Sequence, residues 1–121
     1  NILFAPGGER CWLVDWQTLG RGSGATDIAY LVGTSIADPV ERAAADRAAF
    51  DAWIAALRAR GVEPDEAELW DDYRVGALSG YFMAVFASMN VERTERGDEM
   101  FAVMAERPAR QAIALGSLDL L

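Results

Sequence analysis

An aspartate and three glycines follow a short apolar segment near the start of the chain. The segment ends at Val14, Asp15 comes next, and Gly20, Gly22 and Gly24 follow shortly afterwards. A carboxylate held at the end of a strand can face a cleft, and it is a hard oxygen ligand of the kind that Mg²⁺ prefers. An aspartate in that place can equally be a turn or helix-cap residue. Asp15 is therefore a candidate metal ligand with a purely structural alternative.

The glycines also fit the dinucleotide-binding pattern G-x-G-x-x-G/A, over residues 20–25. In that fingerprint the first glycine closes a turn directly after the strand, whereas residues 16–19 separate the strand from Gly20 here. Beyond Gly24 the pattern predicts helices rather than alternating strands and helices. A dinucleotide-binding segment stays as an alternative that this spacing disfavours.

Two short apolar runs at the start of the chain, residues 2–4 and 11–14, predict a β-hairpin. The sequence Pro6-Gly7-Gly8 between them is typical of a turn. The two ends of a hairpin return to the same edge, so we expect Asn1 and Asp15 to lie close together. A two-stranded hairpin is only marginally stable alone, and we expect it to pack against the helices that follow.

The remainder of the chain predicts four or five helices, so the fold class is mainly α with a small β-hairpin, an α+β arrangement. Helical spacing begins at Ala25, and Asp38-Pro39-x-Glu41 combines an N-cap with a capping box. Pro64, followed by acidic residues, predicts a helix that runs to about Asn90. Residues 91–98 predict a loop, and Pro108 is expected to interrupt the last helix.

Length and composition limit the possible organisation and function. We interpret residues 1–121 as a single unit, with the hairpin in residues 1–15 and a helical subdomain in residues 25–121. The chain has 19 acidic and 11 basic residues, a net charge of −8, which argues against a nucleic-acid partner. Cys11 is the one cysteine, so an internal disulfide and a cysteine-rich zinc site are excluded. The expected location is the cytoplasm.

Residues 75–91 contain no charged side chain. That length is at the lower limit for a membrane span, and helical patterns continue on both sides of the segment. We therefore expect a buried helix of a soluble protein, with no membrane as a partner. The chain also begins without Met, and its sequence is interpreted as a fragment of something longer.

The order of motifs in the first third of the chain resembles the C-terminal lobe of the aminoglycoside phosphotransferase family. These motifs are Asn-Ile-Leu-Phe, a hairpin, Val-Asp-Trp-Gln, a glycine-containing loop and Asp-Ile-Ala-Tyr. The family, like the choline kinases and the ecdysteroid kinase-like proteins, is a branch of the protein-kinase-like fold. The resemblance covers residues 1 to about 34, and it implies an ATP-dependent kinase that transfers the γ-phosphate to an alcohol group of a small molecule.

The resemblance also implies roles for particular residues. Asn1 resembles the last residue of the family's catalytic loop, H-x-D-x-x-x-x-N, and Asp15 resembles the aspartate of the DFG motif, with Trp16 in the place of its phenylalanine. Both Asn1 and Asp15 would bind Mg²⁺ and, through it, ATP. Asp27 resembles the aspartate that holds the catalytic loop by hydrogen bonds to its backbone, which is structural support for the site.

Two parts of such an enzyme are not in this sequence. The family's catalytic base would precede Asn1, and the lysine that contacts the ATP phosphates belongs to the N-terminal lobe, whereas this chain contains no lysine. The chain is therefore expected to be inactive alone and to need a missing N-terminal lobe as its partner. The alternative from another class is a non-enzymatic helical interaction module, in which Asp15 is a cap.

Overall fold

A two-stranded hairpin followed by helices makes up the computed structural model, which describes residues 2–16 and 19–121. The strands are β1 (Ile2–Phe4) and β2 (Cys11–Leu13), and the α-helices are α1 (Gly24–Ser35), α2 (Pro39–Arg58), α3 (Glu66–Gly76), α4 (Leu78–Ser88) and α5 (Glu95–Ala114). A short 3₁₀ helix, Ser117–Leu120, follows α5. The predicted fold class is confirmed at the level of a mainly helical chain with one small antiparallel sheet.

The hairpin forms from the strands that the sequence predicts. Its register pairs Ile2 with Leu13 and Phe4 with Cys11 in antiparallel fashion. The expectation that it packs against the helices is wrong, because neither strand packs extensively on a helix in the described part of the chain. Phe4 and Trp12 are 67% and 51% exposed. Strands of three residues offer little surface for a helix to cover, and their apolar side chains stay in solvent.

The starts of α2 and α3 follow the predicted capping rules. The Asp38 carboxylate accepts hydrogen bonds from the backbone N–H groups of Val40 and Glu41 at 2.8 and 2.9 Å, and Pro39 occupies the first turn. Asp65 caps α3 in the same way. These side chains satisfy N–H groups that would otherwise have no partner at a helix start.

The helix predicted from Pro64 to about Asn90 is wrong in its continuity, because α3 ends at Gly76 and α4 begins at Leu78. Both helices contact α1. A Cβ atom at Gly76 would lie 2.6 Å from Cα of Thr26, so glycine permits this close approach, and glycine is also a weak helix former. Within residues 2–16 and 19–121, no helix combines the length and the apolar character needed to cross a membrane.

The last helix differs from its prediction at its start and at its proline. Thr94 caps α5 by accepting a hydrogen bond from the N–H of Gly97 at 3.0 Å, so residues 95–98 are helical. The helix also runs through Pro108, which was expected to interrupt it. Pro108 is buried against Gly80 of α4, where a Cβ atom would meet its Cγ at 2.6 Å. This packing compensates for the backbone hydrogen bond that proline cannot make.

The core lies where α1, α2 and α3 meet. Its buried members are Phe50, Ile54 and Tyr73 with the small residues Ala25 and Ala29. The rings of Phe50 and Trp70 contact edge to face, with centroids 4.9 Å apart. Trp53 and Trp70 pack at the edge of this cluster, as the sequence favours for large aromatic residues. The core therefore supports α1, the helix that begins at the glycine loop.

Candidate functional site

Asp15 lies just beyond β2 in an unusual backbone conformation. Its φ angle is 70°, and it is the one non-glycine residue with a positive φ in the described part of the chain. Aspartate enters this left-handed region more readily than most residues, at a cost of about 1 to 2 kcal/mol. The indole N–H of Trp16 donates a hydrogen bond to the carbonyl of Leu13 at 2.9 Å. The chain thus turns sharply at Asp15, which is exposed at the end of the hairpin.

The second predicted metal ligand, Asn1, lies outside the described residues. The strand register nevertheless bears on its partner, because Ile2 pairs with Leu13, which precedes Asp15 by two residues. The beginning of β1 therefore lies beside the end of β2. The predicted proximity of Asn1 and Asp15 stays a prediction.

The glycine loop and the first turn of α1 form a shallow depression of about 260 Å³. It is lined by Gly20, Arg21, Gly22, Ser23, Thr26 and Asp27. Asp27 is exposed in the first turn of α1, where a carboxylate also stabilises the positive end of the helix. Within residues 2–16 and 19–121 its carboxylate accepts no hydrogen bond. Its predicted role, accepting hydrogen bonds from the backbone of another segment, stays a prediction.

The electrostatic character of the depression is mixed. Ser23 is the N-cap residue of α1, yet its side chain makes no capping hydrogen bond, and its Oγ is buried without a partner among the described residues. The helix start and the Arg21 guanidinium favour negative charge, whereas Asp27 favours positive charge. The depression is therefore suited to a polar or charged group and not to an apolar ligand.

The oxygen ligands at this site suit Mg²⁺ only if a nucleotide supplies part of its coordination shell. In residues 2–16 and 19–121, no three or more side chains of His, Cys, Asp or Glu come together to hold a metal ion. Magnesium sites in kinases need one or two carboxylates, the rest of the shell being water and phosphate oxygens. The carboxylate of Asp15 has the right chemistry for one such ligand.

A buried polar network behind the depression holds α1 in place. The Asp46 carboxylate of α2 forms an ion pair with Arg42 and accepts hydrogen bonds from the Tyr73 hydroxyl at 2.9 Å and from Gln111 Nε2 at 2.7 Å. Gln111 Nε2 also donates to the carbonyl of Ala29 in α1 at 3.2 Å. One carboxylate therefore links helices α2, α3 and α5, and Gln111 extends the link to α1.

The network is tightly packed and shifts the pKa of one of its members. Burial, together with the negative charge of Asp46, raises the pKa of the Tyr73 hydroxyl well above its ordinary value. Gln111 lies directly against Gly33 of α1, where any Cβ atom would collide with the amide oxygen. Tyr73 stays protonated and the Gln111 amide is confined, so the network resists displacement of α1.

Sequence reasoning missed this network, although one signal for it was present. Arg42, Asp46, Phe50 and Ile54 follow each other at intervals of four residues, so they lie along one face of α2. Two members of that row are core residues. A charged pair on the same helix face as core residues is expected to be buried. The burial of Arg42 and Asp46 could therefore have been inferred from the spacing.

Comparison with known proteins adds no relative: no protein-family model, curated protein or solved structure matches the chain. The predicted roles of Asn1, Asp15 and Asp27 therefore depend on the motif order, and the geometry described above concerns Asp15 and Asp27 alone. That geometry bears on the dinucleotide alternative, because the sheet in the described residues is antiparallel. The dinucleotide fingerprint belongs to a parallel βαβ unit.

Proposed function

We propose that this chain is the C-terminal part of a cytoplasmic, ATP-dependent small-molecule kinase similar to the aminoglycoside phosphotransferases. The observation that carries the proposal is the placement of Asp15. It is held in a left-handed conformation at the end of the hairpin, and the glycine loop that leads to Asp27 follows it. Residues in costly backbone conformations cluster at active sites and ligand clamps, because the surrounding structure must maintain them.

The proposed division of labour follows from the chemistry of phosphoryl transfer. When bound, Mg²⁺ would offset the negative charge that develops on the transferring phosphoryl group. Asp15, with Asn1 as its proposed second ligand, supplies oxygen atoms to that ion, and Asp27 holds the catalytic-loop backbone. The base that accepts the proton of the acceptor's hydroxyl group comes from the sequence before Asn1. Phosphate transfer by the chain alone is not expected.

The proposed partners are an alcohol acceptor and an N-terminal lobe. The net charge of −8 suits a cationic acceptor of the aminoglycoside type. The lobe is expected to cover the hairpin, since Phe4 and Trp12 are exposed there. A small hairpin of this kind gains stability when a further layer packs on it.

The second candidate function is a helical interaction module without catalytic activity. The exposed apolar side chains of α4, Phe82 and Phe86 among them, favour it, because large exposed apolar patches mark binding surfaces. In that case the conformation of Asp15 serves only the turn. The thermal stability of the parent protein should then not change when nucleotide is added.

Thermal stability of the parent protein with and without Mg²⁺·ATP separates the two candidates. The kinase proposal expects ligand stabilisation, about 2.7 kcal/mol at a concentration 100 times Kd. Asp15→Asn should remove most of it, because the charge is lost while asparagine tolerates the left-handed backbone. Asp51→Asn, an exposed site on α2, is the matched control and should respond like wild type. Equal stabilisation of the Asp15→Asn variant and wild type would refute the proposed role.

A further inference from the structure

α4 and the first half of α5 form a helical hairpin that extends away from the core. Pro108 of α5 packs on Gly80 of α4 where this hairpin leaves the other helices. No residue from 81 to 107 belongs to the core cluster around Phe50. The two helices nevertheless pack closely on each other. They present a separate surface to solvent.

One face of α4 is apolar and exposed, and we name it the α4 strip. Its members are Tyr81, Phe82, Val85 and Phe86, together with the C-cap residue Met89, and they are 40–79% exposed. The other face, with Gly80 and Ala84, is buried. Phe82, Phe86 and Met89 are separated by four and then three residues, which is the spacing of a seam between two packed helices.

The size of the α4 strip suits a small interface between two proteins. From these exposed fractions and the usual areas of large side chains, the strip exposes on the order of 500 Å² of apolar surface. This is near the upper end for the largest patch on a typical monomer. Two strips in contact would remove on the order of 1,000 Å² from solvent, which is about the minimum for a specific interface.

Charge favours a second copy of the chain as the occupant. The chain has a net charge of −8, so two copies repel each other on average through their charged surfaces. The strip lies within residues 75–91, which carry no charge. Two copies can therefore meet there without placing like charges opposite each other.

The position of the strip separates it from the candidate site. Gly76 lies against Thr26 near the start of α1, whereas Gly80 lies against Thr34 near its end. The strip therefore continues past the end of α1 that is farther from the glycine loop, and α1 itself is about 18 Å long. The strip is therefore separate from the depression at the glycine loop.

We propose that two copies of this chain associate through their α4 strips. The pairing is symmetric, with the two strips antiparallel, so that the two α4–α5 hairpins form a four-helix bundle. This inference does not depend on the proposed kinase function. At this interface size the dimer should dissociate in the micromolar range.

Sedimentation velocity of the 121-residue chain over a range of concentrations tests the proposal. Wild type should shift from monomer to dimer, with Kd on the order of 10 µM. Phe86→Glu should raise that Kd at least about tenfold, because it places a carboxylate in the contact. Val40→Glu is the matched control, since Val40 is 78% exposed but lies on α2, and it should dimerise like wild type. Far-UV circular dichroism confirms that each variant is folded.

A cross-link tests the geometry independently of affinity. In a symmetric pairing the two-fold axis passes near the middle of the strip, at Val85. Val85→Cys in a Cys11→Ser background should therefore form a disulfide between copies with a copper–phenanthroline oxidant, whereas Val40→Cys should not. A chain that stays monomeric, open-ended association, or equal behaviour of the Phe86 and Val40 variants would overturn the proposal. So would a monomeric parent protein whose own upstream segment protects the strip from labelling.

Discussion

The free energy of unfolding should fall steeply above pH 10, and Tyr73 should be the cause. The Tyr73 hydroxyl is fully buried and donates its proton to Asp46. Burial first, and then the charge of Asp46, raise its pKa above the ordinary value of 10.0. In the unfolded chain the same hydroxyl titrates normally. Above pH 10 the unfolded state has therefore lost a proton that the folded state keeps.

The size of the effect follows from that one proton. The unfolded state binds fewer protons, so the free energy of unfolding decreases as pH rises, by about 1.4 kcal/mol per pH unit. Between pH 10 and 11.5 the folded protein should lose about 2 kcal/mol. No lysine contributes to the change in stability between pH 10 and 11.5, because all 11 basic residues are arginine. Below pH 10 the Tyr73 hydroxyl is protonated in both states, and its full contribution to stability is present.

Urea denaturation followed by circular dichroism at several pH values measures this slope. Tyr73→Phe should lower the free energy of unfolding at pH 7 by about 1.5 to 3 kcal/mol, because a hydrogen bond to a charged group is lost. The variant should also lack the alkaline slope, so its deficit relative to wild type narrows above pH 10. Tyr81→Phe, at a partly exposed site, should keep the wild-type slope. An identical slope in the Tyr73→Phe variant would refute the reasoning.

Four further substitutions, one of them a control, test the packing, a helix cap and the buried ion pair, again by urea denaturation. Gly80→Ala places a Cβ atom 2.6 Å from Cγ of Pro108 and should lower the free energy of unfolding by about 1 to 3 kcal/mol. Gly22→Ala is the control, because a Cβ atom there meets open space, and it should be neutral or stabilise the fold by up to about 1 kcal/mol. Equal effects of the two would contradict the close packing of α4 on α5. Asp38→Ala removes the N-cap of α2 and should lower the free energy of unfolding by about 0.5 to 2 kcal/mol. An unchanged free energy of unfolding would mean that water replaces the cap. Arg42→Met leaves a buried carboxylate without its cation and should cost about 3 to 5 kcal/mol; a loss below 1 kcal/mol would mean that this carboxylate is not buried as an ion.

Much of the local structure was predictable because its causes are local. Asp38 and Pro39 predict the start of α2, since a cap and a preset φ angle act within one turn of the chain. The β-hairpin follows from two apolar runs around a glycine-containing turn. Candidate site residues Asp15 and Asp27 were also identified from neighbouring sequence. Motif order is a property of the chain itself, and it needs no knowledge of packing.

The errors arose where distant residues meet. Proline disfavours a helix interior by a local rule, yet Pro108 stays helical because it is buried against Gly80. The break at Ala77 has the same origin, since both α3 and α4 contact α1. In these places packing between helices outweighs the local preference of a single residue.

The sequence by itself therefore predicted a mainly helical chain with a β-hairpin, and it indicated Asp15 and Asp27 as candidate site residues. Only the tertiary structure decided that Asp15 has a left-handed backbone, that the hairpin stays uncovered, and that Asp46 joins Tyr73 and Gln111. Gln111 lies 65 residues from Asp46 along the chain. No local pattern relates residues so far apart. Their contact exists because the buried carboxylate requires donors, and the packed helices bring those donors within hydrogen-bonding distance.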